Sequence, residues 1–395
     1  MEFLKKLLNY NKSVMNNEKK VIENNERESE KNNNVITTNI NENNQEFNEN
    51  VNENKKEQVA ENVLKIIKNG KEFLVPAEIS GRYIVQDILS ANSGFGLILI
   101  AEDKVLFGRK VLIKSNNYKN KIKRTNLDSK EIIEKRRKDI EIEKAILLAL
   151  KKMNIPNIPV LCNYVKGYAP TINWPDGKII PGKQFLNELA YDEPYIVMQY
   201  IDGDTISDYI KNNNIDRESP YWQMFVLKLA KQLLKTFKDM HKGNSKGAKF
   251  VYQDLKPDNI IASPNNTFTL IDLGGVAIIN PNGKFINRGV GTPGYMAPEI
   301  KDRNLPFDGR ADIYTLGVMM YDLFTEENLS NYTNEKGIAN LDYSKLNIHQ
   351  SIVKIIEKAS QKDINKRYLD CKEMLNDVFI ALRNVSSAYH INSSI

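Results

Sequence analysis

The sequence predicts an α+β fold of two unequal lobes, a small antiparallel β lobe carrying one helix and a larger, mainly α lobe. Three observations lead there. Short β-rich runs separated by Gly, Asn, Ser or charged turns occupy the stretch from GRYIVQDILSA to GRKVLIKS, the pattern of a meander. One long segment of helical period follows, and from Ile206 onward the periodic segments are mainly helical. A chain of 395 residues, 41% of them hydrophobic, is long enough to bury one large two-part core.

Residues 1–70 are read as a disordered N-terminal segment rich in Asn, Glu and Lys, with ENNERESEKNNNVITTNINENNQEFNENVNENKKE at its centre. It has few large apolar residues and no sustained period, so burial cannot offset the entropy of ordering it. Order is expected near Phe73, with the small lobe over 71–200. Its strands are GRYIVQDILSA, FGLILIAED, GRKVLIKS, VLCNYV and PYIVMQYI, and its helix runs from Lys130 to Lys152, where Ile140, Ile146, Leu147 and Leu150 recur at helical spacing. Between the last two strands, TINWPDGKIIPGKQFLNELAYDE has the Pro, Gly and Asp content of a long loop, an insertion at about 165–192 around Trp174 with no function assigned. The large lobe is expected over 201–382, with Trp222, Val226, Leu229, Leu233, Phe237 and Met240 along one helical stripe, and a C-terminal tail over 383–395.

A formal charge of +6 is mild for this length and argues neither for nucleic acid nor for an anionic membrane. The basic run KNKIKRTNLDSKEIIEKRRKD has acids among its bases and no interleaved aromatics, so it reads as a solvated linker and helix face, and no nucleic-acid partner is expected. Cys162 and Cys371 alone cannot build a disulfide framework or a cysteine metal site, which fits a reducing compartment. The N-terminal MEFLKKLLNYNKS lacks the features of a secretory leader, and no transmembrane run of about 18 apolar residues occurs, so a cytoplasmic protein is expected. Phe3, Leu4, Leu7 and Leu8 share a helical face, but a single turn of that pattern is read as without function.

Four motifs carry the chemistry: DLKPDN from Asp254 to Asn259, IDLGG from Ile271 to Gly275, GTPGYMAPE from Gly291 to Glu299, and ADIYTLGVMMYDL from Ala311 to Leu323. In this order and at these separations they resemble the protein kinase family, over about Gly81 to Leu382. The resemblance implies a bilobal protein-kinase-like fold, ATP and Mg2+ as cofactors, and a protein substrate. Phosphoryl transfer from ATP is mostly positioning and charge neutralisation, so it needs a carboxylate at the attacking hydroxyl, cations on the phosphate oxygens and ligands for magnesium. By resemblance Asp254 is the catalytic base, Lys256 reaches the γ-phosphate, and Asn259 and Asp272 hold the metal. Lys114, at the end of VLIK, holds the α- and β-phosphates when a helix acid fixes it. That acid is expected to be Glu143, which shares the stripe of Ile140 and Ile146, with Glu141 as the alternative.

Where the family runs Gly-x-Gly-x-x-Gly over the phosphates, this chain has Ala91-Asn92-Ser93-Gly94-Phe95-Gly96. It keeps the last required glycine, adds Gly94, and carries Cβ atoms at Ala91 and Ser93 that loosen the backbone's approach to phosphate. Ile98 and Leu112 are expected above the base. YIVMQYIDGDT resembles the hinge between lobes, with Met198 at its inner end and backbone groups of Gln199 and Ile201 pairing the adenine edge. Lys256 together with Thr292 implies Ser/Thr specificity, Thr292 bonding the base. Glu299 with Arg367 is expected as a buried ion pair, and Asp312 as the acceptor of backbone hydrogen bonds from the catalytic loop.

Tyr252 and Gln253 stand where the family usually has His and Arg. Tyr252 is expected to pack against Leu273, and His241 to be a structural capping residue at the end of the long helix. Neutral Gln253 cannot anchor a loop phosphate, and the loop from Gly274 to Gly291 contains no Ser, Thr or Tyr. The expectation is therefore a kinase whose activation loop is held by packing through Val276, Ile278 and Ile279, without phosphorylation. The competing reading is a pseudokinase scaffold that binds nucleotide weakly or not at all. A small-molecule kinase is opposed by the peptide-docking segment GTPGYMAPE.

Overall fold

The structure is a computed structural model and describes residues 63–68, 71–90, 96–116, 129–167, 172–173, 179–180 and 193–390. It begins with a hairpin of β1 (Val63–Lys68) and β2 (Lys71–Pro76), paired from Val63 opposite Pro76 to Lys68 opposite Lys71. Residues 63–68 were expected in the unordered segment. They form a strand because Ile66 and Val75 turn into the small-lobe core beside Ile79, Tyr83 and Val85. That contact outweighs the polar neighbourhood.

A six-stranded antiparallel sheet follows, in the order β3-β4-β5-β6-β10-β7. Its members are β3 (Glu78–Ile79), β4 (Tyr83–Ser90), β5 (Leu97–Asp103), β6 (Arg109–Ser115), β7 (Leu161–Gly167) and β10 (Glu193–Gln199). In β5 every second residue is buried, as expected of a strand with one face on a core. Register assigns the faces. Leu99, Val111, Ile113 and Val197 point to the small-lobe core, whereas Ile98, Leu112, Ile196 and Met198 point to the larger core that continues into the helical lobe.

Helix α1 (Ser129–Lys152) lies against that second face, packing on β7 and β10 through its buried stripe of Ile140, Ile146, Leu147 and Leu150. Strand β7 runs to Gly167, two residues beyond the predicted VLCNYV, so the insertion starts after Gly167. Within it, β8 (Ile172–Asn173) pairs with β9 (Ile179–Ile180), and Trp174 lies outside the described residues.

The large lobe opens with β11 (Asp204–Thr205) and α2 (Ile206–Asn212), whose first turn is capped by the Thr205 hydroxyl accepting from the Asp208 N–H. Ser219 caps α3 (Pro220–Lys242), and Pro220 fits the first helical position, where no N–H is needed. All six residues of the predicted stripe on α3 are buried, each worth about 1.5–3 kcal/mol for the larger side chains. Five short strands then bring the functional loops to the lobe surface: β12 (Lys249–Val251), β13 (Ile260–Ala262), β14 (Phe268–Leu270), β15 (Ala277–Ile279) and β16 (Phe285–Ile286). Together with β11 they form two three-stranded sheets, β11-β13-β14 and β12-β15-β16.

After α4 (Pro298–Lys301), helix α5 (Arg310–Phe324) forms the axis of the lobe, with every residue except Arg310 and Asp322 buried. Gly317 permits its tight contact with α6 (Gln350–Ala359), because a Cβ there would meet the Ala359 Cβ at 2.7 Å. Helix α7 (Cys371–Ala388) closes the lobe against α3 and α6. The boundary expected at 383 falls inside α7, because Val385 extends the buried row of Met374, Val378 and Leu382 by one turn.

Candidate functional site

The site lies where β6, α1 and two loops of the large lobe meet. Lys114 sits opposite Ile98 and Ile196 in the sheet, so its side chain leaves from the face turned to α1. Its Nζ donates to Glu143 Oε1 at 2.7 Å and to Asp272 Oδ1 at 2.8 Å. Burial opposes the charge on Lys114, but Asp272 and Glu143 outweigh it and hold the ammonium above the usual lysine range. Glu143 is pushed up by burial, with Lys114 opposing. Of the two candidate helix acids, Glu143 meets the lysine. Glu141 instead pairs with Lys144 at 2.6 Å and accepts from the Tyr164 hydroxyl.

Ile98 is half-buried and Leu112 buried on the same sheet face as Lys114. Gly96 is described, and a Cβ there would meet the Ser115 carbonyl oxygen at 2.3 Å, so the strand accepts only glycine at that point. Ala91, Ser93 and Gly94 lie outside the described residues. At the lobe junction Met198 is buried, with Gln199 and Ile201 half-buried. The Gln199 N–H donates to the Val160 carbonyl at 3.0 Å, so any pairing of Gln199 with a base uses its carbonyl.

The loop after β12 is tied to α5. The carboxylate of Asp312 accepts from the Tyr252 N–H at 2.9 Å and the Gln253 N–H at 2.8 Å. It also meets His241 Nε2 at 2.8 Å. The capping role expected for His241 is therefore replaced by a bridge: its other ring nitrogen faces the Cys371 sulfur of α7 at 3.4 Å. The helix end falls instead to Gly243.

Gln253 adopts a positive φ of 68°, uncommon for a residue with a side chain, and the turn presents Asp254 at the cleft, only 4% exposed. Asp254 Oδ1 accepts from the Thr292 hydroxyl at 2.6 Å, and Thr292 in turn accepts from Lys256 Nζ at 3.1 Å. Asn259 donates its amide to the Asp254 carbonyl at 2.8 Å and to Oδ2 at 3.3 Å. Asp272, also at positive φ, turns back toward Lys114, and the following Leu273 is buried. Tyr252 does more than pack: its hydroxyl donates to the Ile271 carbonyl, one residue before Asp272. Burial raises the Tyr252 pKa, which keeps the phenol a proton donor.

The segment from Gly274 to Gly291 is held by hydrogen bonds between side chains and main-chain groups as well as by packing. Val276 and Ile278 are buried and Ile279 half-buried. The Gln253 side chain donates to the carbonyls of Gly275 at 2.6 Å and Asn287 at 2.9 Å, and accepts from the Gly289 N–H at 3.1 Å. Asn287 donates to Gly274 and Val276 carbonyls at 2.7 and 3.2 Å. The Arg288 guanidinium donates to the carbonyls of Glu299, Asp302 and Leu305 and lies over the rings of Phe285 and Phe307. In the sequence Gln253 is legible only as a missing charge, whereas in the structure its amide clamps the segment. Deeper in the lobe Arg367 pairs both nitrogens with Glu299, one at 2.9 Å, with both side chains almost wholly buried.

A sheet lysine bridged to a helix glutamate, facing a loop that carries an acid, a lysine and an asparagine, defines a two-lobed protein of the kinase class. The protein kinase domain family matches residues 107–382, and the chain belongs to it. Similar proteins include the serine/threonine-protein kinase cds1 of Schizosaccharomyces pombe, 34% identical over 140 residues, or 34% of this chain and 28% of that one. Serine/threonine-protein kinase Nek2 of Mus musculus is 33% identical over 129 residues, covering 33% and 29% of the two chains. The probable serine/threonine-protein kinase PknB of Lactococcus lactis is 27% identical over 196 residues, covering 47% and 30%. The chain thus spans less than a third of the length of each of these relatives.

Proposed function

We propose that this protein is an ATP-dependent Ser/Thr protein kinase whose activation segment needs no phosphorylation. The observation that carries the reading is the convergence on Lys114, 2.7 Å from Glu143 and 2.8 Å from Asp272, which brings the two lobes into one site. Lys114 neutralises the α- and β-phosphates, and Glu143 aims it. Main-chain groups of Gln199 and Ile201 take the adenine edge, under Ile98 and Leu112 and beside Met198. Gly96 ends the phosphate-covering loop, whose other members are Ala91, Ser93 and Gly94.

Among the described residues no group of three or more His, Cys, Asp and Glu suits a metal ion. Magnesium fits nonetheless, because it takes hard oxygens and keeps several water or phosphate ligands. Asp272 supplies carboxylate oxygen, and Asn259, with its Nδ2 held by Asp254, presents Oδ1 on its other side. When bound, magnesium neutralises charge on the transferring phosphate. The protein's own residues do the rest. Asp254, fixed through Oδ1 by Thr292, orients the acceptor hydroxyl and takes its proton, while Lys256 offsets charge on the γ-phosphate.

The clamp around Gln253 supports independence from loop phosphorylation, since a neutral amide holds the positions that a phosphate–arginine pair would otherwise order. The altered residues Ala91 and Ser93 favour the second reading, a scaffold with weak nucleotide binding. One experiment separates them: radiolabelled ATP and magnesium with a generic basic protein substrate. Asp254→Ala should lower the rate about 10²–10⁴-fold, and phosphatase pretreatment should leave it unchanged. Equal signals from the two proteins leave only the scaffold. No helix among the described residues is long and apolar enough to cross a membrane. The two free cysteines, Cys162 and Cys371, fit a reducing, cytoplasmic location.

A further inference from the structure

A second ion pair ties α1 to the same sheet, at β10 where Lys114 and Glu143 tie it at β6, and the chemistry above does not use it. Glu193, the first residue of β10, has a side chain with no exposure to solvent. Arg137 of α1 donates from Nε to its Oε2 at 2.9 Å. Asn116, two residues beyond Lys114 and itself buried, donates from Nδ2 to its Oε1 at 2.7 Å. A carboxylate so enclosed is tolerated only with partners of this quality, and all three side chains are thereby held in one geometry. Arg137 lies six residues before Glu143, about 9 Å along the helix axis. One carboxylate therefore fixes the strand of Lys114, the neighbouring strand and the helix that brings Glu143 to Lys114.

We propose that Glu193 is a positioning residue for the Lys114–Glu143 pair, holding α1 inward by gripping Arg137 and Asn116 together. Its catalytic consequence rests on the kinase reading, but its structural consequence does not. The test compares the full chain with Glu193→Gln, Arg137→Gln and both, following amide hydrogen exchange in α1 alongside the KM for ATP. Exchange over residues 138–150 should speed up about tenfold in each single variant, with α5 and α7 unchanged. The KM for ATP should rise by a similar factor, and the double variant should be no worse than the poorer single one, because both break one contact. Arg137→Lys, which keeps a cation for Glu193, should retain most of the protection. Unchanged exchange in α1, equal loosening of both lobes, or losses that multiply in the double variant would overturn the proposal. If the wild-type protein shows no turnover, the kinase reading fails, while exchange still decides the role of Glu193.

Discussion

Gln253 satisfies two carbonyls and one N–H of the activation segment with a single uncharged side chain. Gln253→Ala leaves those groups without their partner, and a buried polar group so abandoned costs about 1–3 kcal/mol. The expected outcome is a lower denaturation midpoint, and in a kinase assay a rate that falls without any change in phosphorylation state. His241 offers a pH test at the same scale. Burial opposes its charge, but Cys371 and Asp312 outweigh this and raise it to about 10 from an ordinary 6.5. A folded pKa above the unfolded one means the stabilisation is complete below about pH 6.5 and is lost as pH rises toward 10. Urea midpoints should fall over that window in the wild type and change less in His241→Gln. Gly96→Ala places a methyl 2.3 Å from the Ser115 carbonyl, so the strand must shift and the KM for ATP should rise.

Between elements, the pairing of Glu299 in α4 with Arg367, just ahead of α7, is the most enclosed ion pair of the large lobe. Arg367→Met strands the carboxylate and should cost about 3–5 kcal/mol in chemical denaturation, more than replacing both partners with apolar residues of similar size. What could be read from sequence at this scale follows the reach of the signal. The stripe on α1 identified Glu143 because helical period is local, and the strand LILIAED was legible because alternation is local. The β1–β2 hairpin escaped because its strands bury only a few side chains, such as Ile66 and Val75, amid Asn- and Lys-rich composition. His241 was misread for the opposite reason: its partners, Asp312 and Cys371, stand 71 and 130 residues away, and a histidine near a helix end has a plausible local explanation. The hydrogen bond from Tyr252 to the Ile271 carbonyl was equally invisible, since main-chain acceptors leave no trace in residue type.

For the whole molecule, the site exists only while the lobes face each other, because Lys114 belongs to the sheet and Asp272 to the helical lobe. Lys114→Met removes the cation that both acids share. It should abolish measurable phosphotransfer while leaving the helical lobe folded, as judged by exchange in α5. The activation segment gives this arrangement a further property. The three hydrogen bonds of the Gln253 side chain run to uncharged main-chain groups, so dissolved electrolyte screens them little, whereas a phosphate–arginine latch would weaken as ions accumulate. Turnover that holds steady from dilute buffer to brine, at saturating ATP and substrate, is the behaviour such a joint confers.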